Sequence, residues 1–252
     1  MTQTLPHWDL SNVYPGLESP EFVAALTDFG QQLAALKAFF AERVAGADAQ
    51  MPISMLAPPV GEAIDRLNRA SELADTIRSY IMSFVATDSH NTLARRRQSE
   101  FELVAVHLRT LGTRFKAWVG RLAPVLDRII AADATAAAHA FALHETAEQS
   151  RYLMSDAEEA LAAELHLSGG SAWTKLQGVV TSQLTADFEL DGQVRRLPLP
   201  ALINLRSHPD EGVRRRAYEA ELALLASARE PLAACMNGIK GEAITLNRRR
   251  GR

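Results

Sequence analysis

Ser155-Asp156-Ala157-Glu158-Glu159 opens the stretch whose reading decides the fold. It continues through Leu161 and Leu165 to Leu167-Ser168-Gly169-Gly170-Ser171-Ala172-Trp173, then Thr181-Ser182-Gln183-Leu184, and closes at Asp191-Gly192. Ser155 and the acids behind it suit the start of a helix, where a hydroxyl caps free N–H groups and carboxylates face the positive end of the dipole. Gly169-Gly170 breaks that helix, and Ser171 is positioned to cap a second one. Thr185 to Leu190 alternates polar and apolar residues. Asp191-Gly192 suits a tight turn because glycine accepts positive φ without cost, and Gln193 to Leu199 returns as the partner strand. A lone hairpin is marginal in water, so this one is expected to lie against helices.

Upstream, the chain reads as long helices. Alanine, leucine and arginine dominate, and all three favour helix. Ser19-Pro20-Glu21 combines a capping hydroxyl, a proline at the first helical position and an acid near the dipole's positive end. Behind it Phe22, Leu26, Phe29, Leu33, Leu36 and Phe40 recur at steps of four and three, one apolar stripe for lengthwise packing. This helix is expected to end near Gly46, with Met51 to Pro59 as a proline-rich loop. A second helix carries Ala63, Leu67, Ala70, Ala74, Ile77, Ile81 and Phe84 on one side, and Thr87 to Asn91 breaks it. A third carries Phe101, Val104, Leu108, Leu111, Phe115 and Trp118 before Pro124. A fourth helical stretch spans Pro124 to Met154. Downstream of the hairpin, two more helices cover roughly Asp210 to Ala228 and Pro231 to Leu246. The predicted fold class is all-α: an antiparallel helical bundle over residues 1–123, then a helical segment over 124–252 with one small hairpin near 185–199.

Composition excludes several classes of function. The 252 residues carry a net charge of −3, with a pI near 6.2, so there is no overall basic field to draw nucleic acid. No apolar run approaches the ~20 residues that span a bilayer. Met1 to His7 lacks the basic start and apolar core of a signal peptide. A single cysteine, Cys235, rules out an intrachain disulfide and suits a reducing compartment. Cytoplasmic localisation, without nucleic acid or membrane as partner, is the expectation.

The side chains that suggest chemistry each have a plainer reading. His144-Glu145-Thr146-Ala147-Glu148 begins like a zinc-peptidase motif, but Glu148 stands where the second histidine belongs. A histidine pair must be four apart to grip one ion from one helical face. His139 is five residues before His144 and points well away, so a surface His-Glu pair is predicted. His7, His90, His107, His166 and His208 are scattered singly, with His166 near Glu164. Cys235 lies among small neighbours and reads as a buried, inert thiol. Ser168-Gly169-Gly170-Ser171 leads into a helix and suits an anion, yet it lacks the lysine and spacing of a phosphate loop. Arg95-Arg96-Arg97 and Arg214-Arg215-Arg216 have acids around them (Glu100, Glu102, Glu211, Glu219) and read as solvated helix faces. Arg248-Arg249-Arg250 with Arg252 reads as an exposed, frayed end. No catalytic, cofactor-binding or metal-binding residue is assigned.

The order of these pieces resembles the oligoendopeptidase F branch of the thimet/oligopeptidase F zinc metallopeptidase family. The segment from Ser155 to Gly192 carries the resemblance. Trp8-Asp9-Leu10-Ser11-Asn12-Val13-Tyr14-Pro15 is similar to the family's entry segment. Arg206-Ser207-His208-Pro209-Asp210 with Val213-Arg214 and Ala217-Tyr218 resembles its loop and helix after the hairpin, and Asn237, Lys240-Gly241-Glu242 and Arg249-Arg250-Gly251 the helix that follows. The resemblance implies a zinc endopeptidase acting on short peptides, with this portion forming one wall of an enclosed substrate cavity. No His-Glu-x-x-His occurs in the 252 residues. The chain therefore reads as the N-terminal portion of such an enzyme, truncated before the catalytic zinc region. Zinc is expected for the full-length enzyme and none is predicted bound by this chain, which alone is expected to be inactive. Self-association is expected through apolar surface around Leu222, Leu225, Leu232, Ile239 and the hairpin edge at Phe188 and Leu190. The rival reading is a stand-alone helical scaffold, interaction protein or pseudoenzyme.

Overall fold

The computed structural model describes residues 9–252, which hold eleven α-helices and one two-stranded hairpin. The readings of Met1 to His7 and of Trp8 fall outside those residues. The chain forms two compact units. One runs up to Ala163 and includes Arg250–Arg252; the other is Glu164–Arg249.

The first unit is built on three long helices. In α1, Pro20–Phe39, the Ser19 hydroxyl accepts the Phe22 N–H at 3.2 Å, and Pro20 holds the first helical position. Its stripe is inside: Phe22, Phe29, Leu33, Leu36 and, in the π-helical turn Phe40–Val44, Phe40 are all buried. The second helix, α2, spans Ile53–Thr87, so most of the expected loop from Met51 to Pro59 is helix, with Pro58 and Pro59 inside it. Two N–H donors are lost there. Leu56, Ala57, Pro59 and Val60 are buried in the core, and that packing overrides the local cost. The third, α3, spans Thr92–Leu122 and starts where the Asn91 side chain accepts the Ala94 N–H at 2.9 Å.

Neighbouring α1 and α2 run antiparallel: Phe22, at the start of α1, packs on Tyr80 near the end of α2, and Phe39 lies under Arg66. The core uses its polar edges. Tyr80 donates its hydroxyl to the Tyr14 carbonyl at 2.6 Å, and the Trp118 indole donates to the Ala47 carbonyl at 3.2 Å. Val104, expected among the buried residues of α3, is instead 37 % exposed; the buried side passes through Phe101, Leu111 and Trp118 and leaves Val104 on the rim.

The stretch after Pro124 is three short helices rather than one: α4, Leu126–Ala132; α5, Ala134–Ala138; and α6, Ala140–Ser150. Asp133 makes the first break. Its backbone is extended and its carboxylate accepts the Ala136 N–H at 2.8 Å, capping α5. His139 separates α5 from α6. Leu126, Ile129, Ala136 and Leu143 from these helices enter the same core as α1 to α3, so the first unit continues past the expected division between residues 1–123 and 124–252. The next helix, α7, spans Asp156–Ser168, and the division between units falls within it.

The second unit carries α8, Gly170–Gln183, then β1, Thr185–Leu190, and β2, Gln193–Pro198, paired antiparallel with Leu190 opposite Gln193. Asp191 (φ 53°) and Gly192 (φ 73°) make the two-residue turn. The remaining helices are α9, Leu199–Asn204; α10, Glu211–Ser227; and α11, Arg229–Arg249. Asp210 caps α10 by accepting the Val213 N–H at 2.8 Å. The hairpin does lie on helices: Phe188 is buried with Leu202, Val213 and Ala217. Phe188 is thus part of a core and not of an exposed edge, while Leu225, Leu232 and Ile239 are half-buried and Leu222 is exposed.

Candidate functional site

The most constructed polar site joins the start of α8 to α11. A helix start leaves its first N–H groups without partners inside the helix. At α8 the residue before the helix is Gly169, which brings no side chain to cap it. Ser171, expected as the cap, lies inside the first turn. The partner comes from α11: one Glu242 oxygen accepts the Gly170 N–H, and the other meets His166 Nδ1 at 2.6 Å. A carboxylate only accepts, so Nδ1 carries the hydrogen. The anion that the glycine-rich segment suits is therefore a side chain of this chain.

Both glycines are explained by that approach. A Cβ at Gly170 would stand 2.8 Å from Glu242 Oε2, and one at Gly169 would meet the same oxygen. Four residues on, Trp173 lies across Gly238 so closely that a Cβ there would enter the indole ring. Two segments far apart in sequence, Ser168 to Trp173 and Asn237 to Glu242, thus form one contact, in which small residues let helices close up and a carboxylate supplies the cap. The Glu242 side chain is 21 % exposed and that of His166 is 33 % exposed. The pair has the base-and-orienter form of a catalytic dyad, but its carboxylate is committed to the helix start, and among the described residues no nucleophile hydroxyl or thiol is hydrogen-bonded to it.

A second ionic cluster lies in the first unit. Ser155 and Glu158 form a reciprocal cap at the start of α7: the Ser155 N–H and hydroxyl donate to Glu158 Oε2 at 3.1 and 2.8 Å. Glu159 beside them is buried and accepts two hydrogen bonds from Arg250, at 2.8 and 2.6 Å, and one from the Met154 N–H at 3.2 Å. The Arg250 hydrogen bonds hold the Glu159 carboxyl below its ordinary range, against the opposite pull of burial. Burial, then Arg252 and Arg250, lower the Lys116 ammonium, which donates to Gln149 at 3.0 Å. Arg252 lies 4.6 Å from the Tyr152 ring centre. Of the residues expected to form an exposed end, Arg248, Arg249 and Arg252 are exposed, while Arg250 is half-buried against Glu159.

The other candidates are dispersed. His144 meets Asp127 at 3.3 Å on an exposed surface, Glu145 accepts from Gln149, and Glu148 pairs with Arg151. His139 Nδ1 lies 2.8 Å from its own helix carbonyl at Thr135, so His139 and His144 do not converge. Cys235 is buried and unbridged. Arg96 pairs with Glu100 and Arg215 faces Glu211 on solvated helix faces, and Arg214 bonds the carbonyls of His208 and Pro209. Arg97 departs from that reading, its side chain only 18 % exposed and donating to the Leu17 carbonyl at 3.1 Å as well as pairing with Glu100. Among the described residues no three His, Cys, Asp or Glu side chains gather in a way that could hold a metal. The zinc implied by the resemblance therefore does not fit the described residues.

The class defined is a predominantly helical segment whose polar centres are spent on joining helices. Residues 123–185, from the turn before α4 to the first residue of β1, match the peptidase M3 N-terminal family model described as Oligopeptidase F. The match supports the family read from the sequence: an oligopeptidase F-type N-terminal portion. No curated protein and no solved structure matches the chain. The Glu242 cap and the Arg250–Glu159 pair had no periodic signal that could join them; only the unusual Gly169-Gly170 marked one end of the first.

Proposed function

We propose that this chain is the N-terminal portion of an oligoendopeptidase F-like zinc metalloendopeptidase for short peptides, and that it builds part of the substrate-cavity wall. The family match over 123–185 carries this reading. The contact of Gly169, Gly170 and Trp173 with Gly238 and Glu242 supports it, because Gly169, Gly170, Trp173 and Glu242 are among the residues on which the resemblance rests. The catalytic groups of such an enzyme are not among the described residues, so the role assigned to these helices is shape. They would limit which peptides reach a reaction centre supplied by other residues.

The test has two arms. The purified chain, dialysed and then assayed with an internally quenched peptide, should show no chelator-sensitive cleavage and far less than the roughly one zinc per chain of a true site. Grafted in place of the matching portion of an active oligopeptidase F-family enzyme, the chain should restore cleavage of short peptides but not of folded proteins. Stoichiometric zinc or cleavage by the chain alone overturns the inactivity. A well-folded graft that cuts nothing overturns the cavity-wall role.

A further inference from the structure

On the first unit, α1 and α3 leave a groove between them. One wall is Gly30, Ala34 and Lys37 of α1 continued by Ala41 and Ala45 of the π-helical turn and its C-cap, and the α3 wall is Val104, His107, Leu111, Arg114, Ala117 and Arg121. Each wall advances by steps of three and four, so each is one face of its helix. Two adjoining hollows, about 290 and 450 Å³, share Lys37 and Arg114. The walls run alongside one another for about 22–25 Å at 1.5 Å per residue. Among the exposed lining, Ala34, Ala41, Ala45 and Val104 (37 % exposed) are small or branched, and Lys37, His107, Arg114, Arg121 and Asp156 are polar or charged. A third helix fits a channel between two helices of this kind by seating its ridge in their groove.

Charge identifies what such a helix must carry. Lys37, Arg114 and Arg121 line the groove and form no ion pair with any described residue. The only acid in the lining is Asp156, with Glu42 on the adjoining π-helical turn. This local excess of positive charge sits on a chain whose net charge is −3. Binding to single-stranded nucleic acid would call for exposed aromatic rings to stack bases; the one aromatic in the lining, Phe40, is buried. A simple anion would have no use for a long apolar floor.

We propose that the α1–α3 groove is a docking site for an acidic amphipathic helix of a protein partner. Apolar residues at steps of three and four would lie on Ala34, Val104 and Ala41, with flanking Glu or Asp residues meeting Lys37, Arg114 and Arg121. The site is separate from the contact that supports the proposed function and stands whether or not that reading does.

The probe is a fluorescein-labelled helical peptide of roughly 16 residues, the number that spans the groove, with Leu and Ala on one face and Glu on both flanks. Fluorescence anisotropy should show saturable, salt-weakened binding. The paired substitution Lys37→Glu and Arg114→Glu should weaken it by about tenfold or more, whereas Arg69→Glu, the same kind of charge change on α2, should leave it unchanged. Ala34→Arg separates docking from simple attraction. It adds a cation yet fills the channel, so affinity should fall; a rise overturns the proposal. Circular dichroism and thermal melts confirm that each variant is folded. A scrambled peptide of equal charge that binds as well, an oligonucleotide or anionic vesicle that binds more tightly, or no saturable binding would each overturn it.

Discussion

Glu159 is a carboxylate taken almost wholly out of water, 6 % exposed, and kept charged by Arg250 and the Met154 N–H. Removing one partner of such a pair leaves the other desolvated and unanswered. Glu159→Gln should cost about 1.5–3 kcal/mol at neutral pH, the range for hydrogen bonds to charged groups. The sign of the pH dependence follows from the lowered carboxyl of Glu159. Its contribution is complete above the ordinary glutamate range and is lost as pH falls through the lower folded-state value. Urea unfolding of the two proteins at neutral pH and in acid measures this. The gap between parent and variant should close on acidification, and a gap that stays constant would show that the pair contributes no charge-dependent stability.

Between elements, the closest fit is that of α8 on α11. Gly238 lies under the Trp173 ring, and nothing stands within 4 Å of where a Cβ would be at Gly241, on the same helix. The same substitution should therefore act in opposite directions. Gly238→Ala pushes a rigid ring out of place and should cost about 1–3 kcal/mol. Gly241→Ala gains helix propensity and should stabilise by up to about 1 kcal/mol. Thermal melts that shift the same way for both would refute this account of the contact. Sequence showed much at this scale. The stripe from Phe22 to Phe40, the Asn91 break and the Asp191-Gly192 turn were legible because each is local. Pro58 and Pro59 inside α2, and the division of the stretch after Pro124 at Asp133, were not, because distant packing and a side-chain cap decided them. The polar contact at Glu242 was hidden for the same reason: no periodicity links α11 to the glycine that opens α8.

For the whole chain, the apolar side chains left in water deserve a test. Leu222 is 47 %, Met236 57 % and Ile244 63 % exposed on helices of the second unit, whose buried cluster is small. Apolar surface beyond what a monomer tolerates is covered by association. We expect the chain to self-associate through α10 and α11, and not through Phe188, which is buried. Light scattering over a concentration series should show mass rising with concentration, and Met236→Lys with Ile244→Lys should reverse it. A monomer that binds no ANS at high concentration would end this expectation and favour a helical scaffold complete in itself.

The cap on α8 also sets an order of events in synthesis. Gly170 and Glu242 are 72 residues apart. At the ~5–20 residues per second of translation, roughly 4–14 s pass between the two leaving the ribosome's catalytic centre. During that interval water alone answers the first N–H of α8. The helix can form early, but its start is secured only when α11 arrives, so a pause in translation between the two would prolong the time for which that end stays open to a chaperone or a protease.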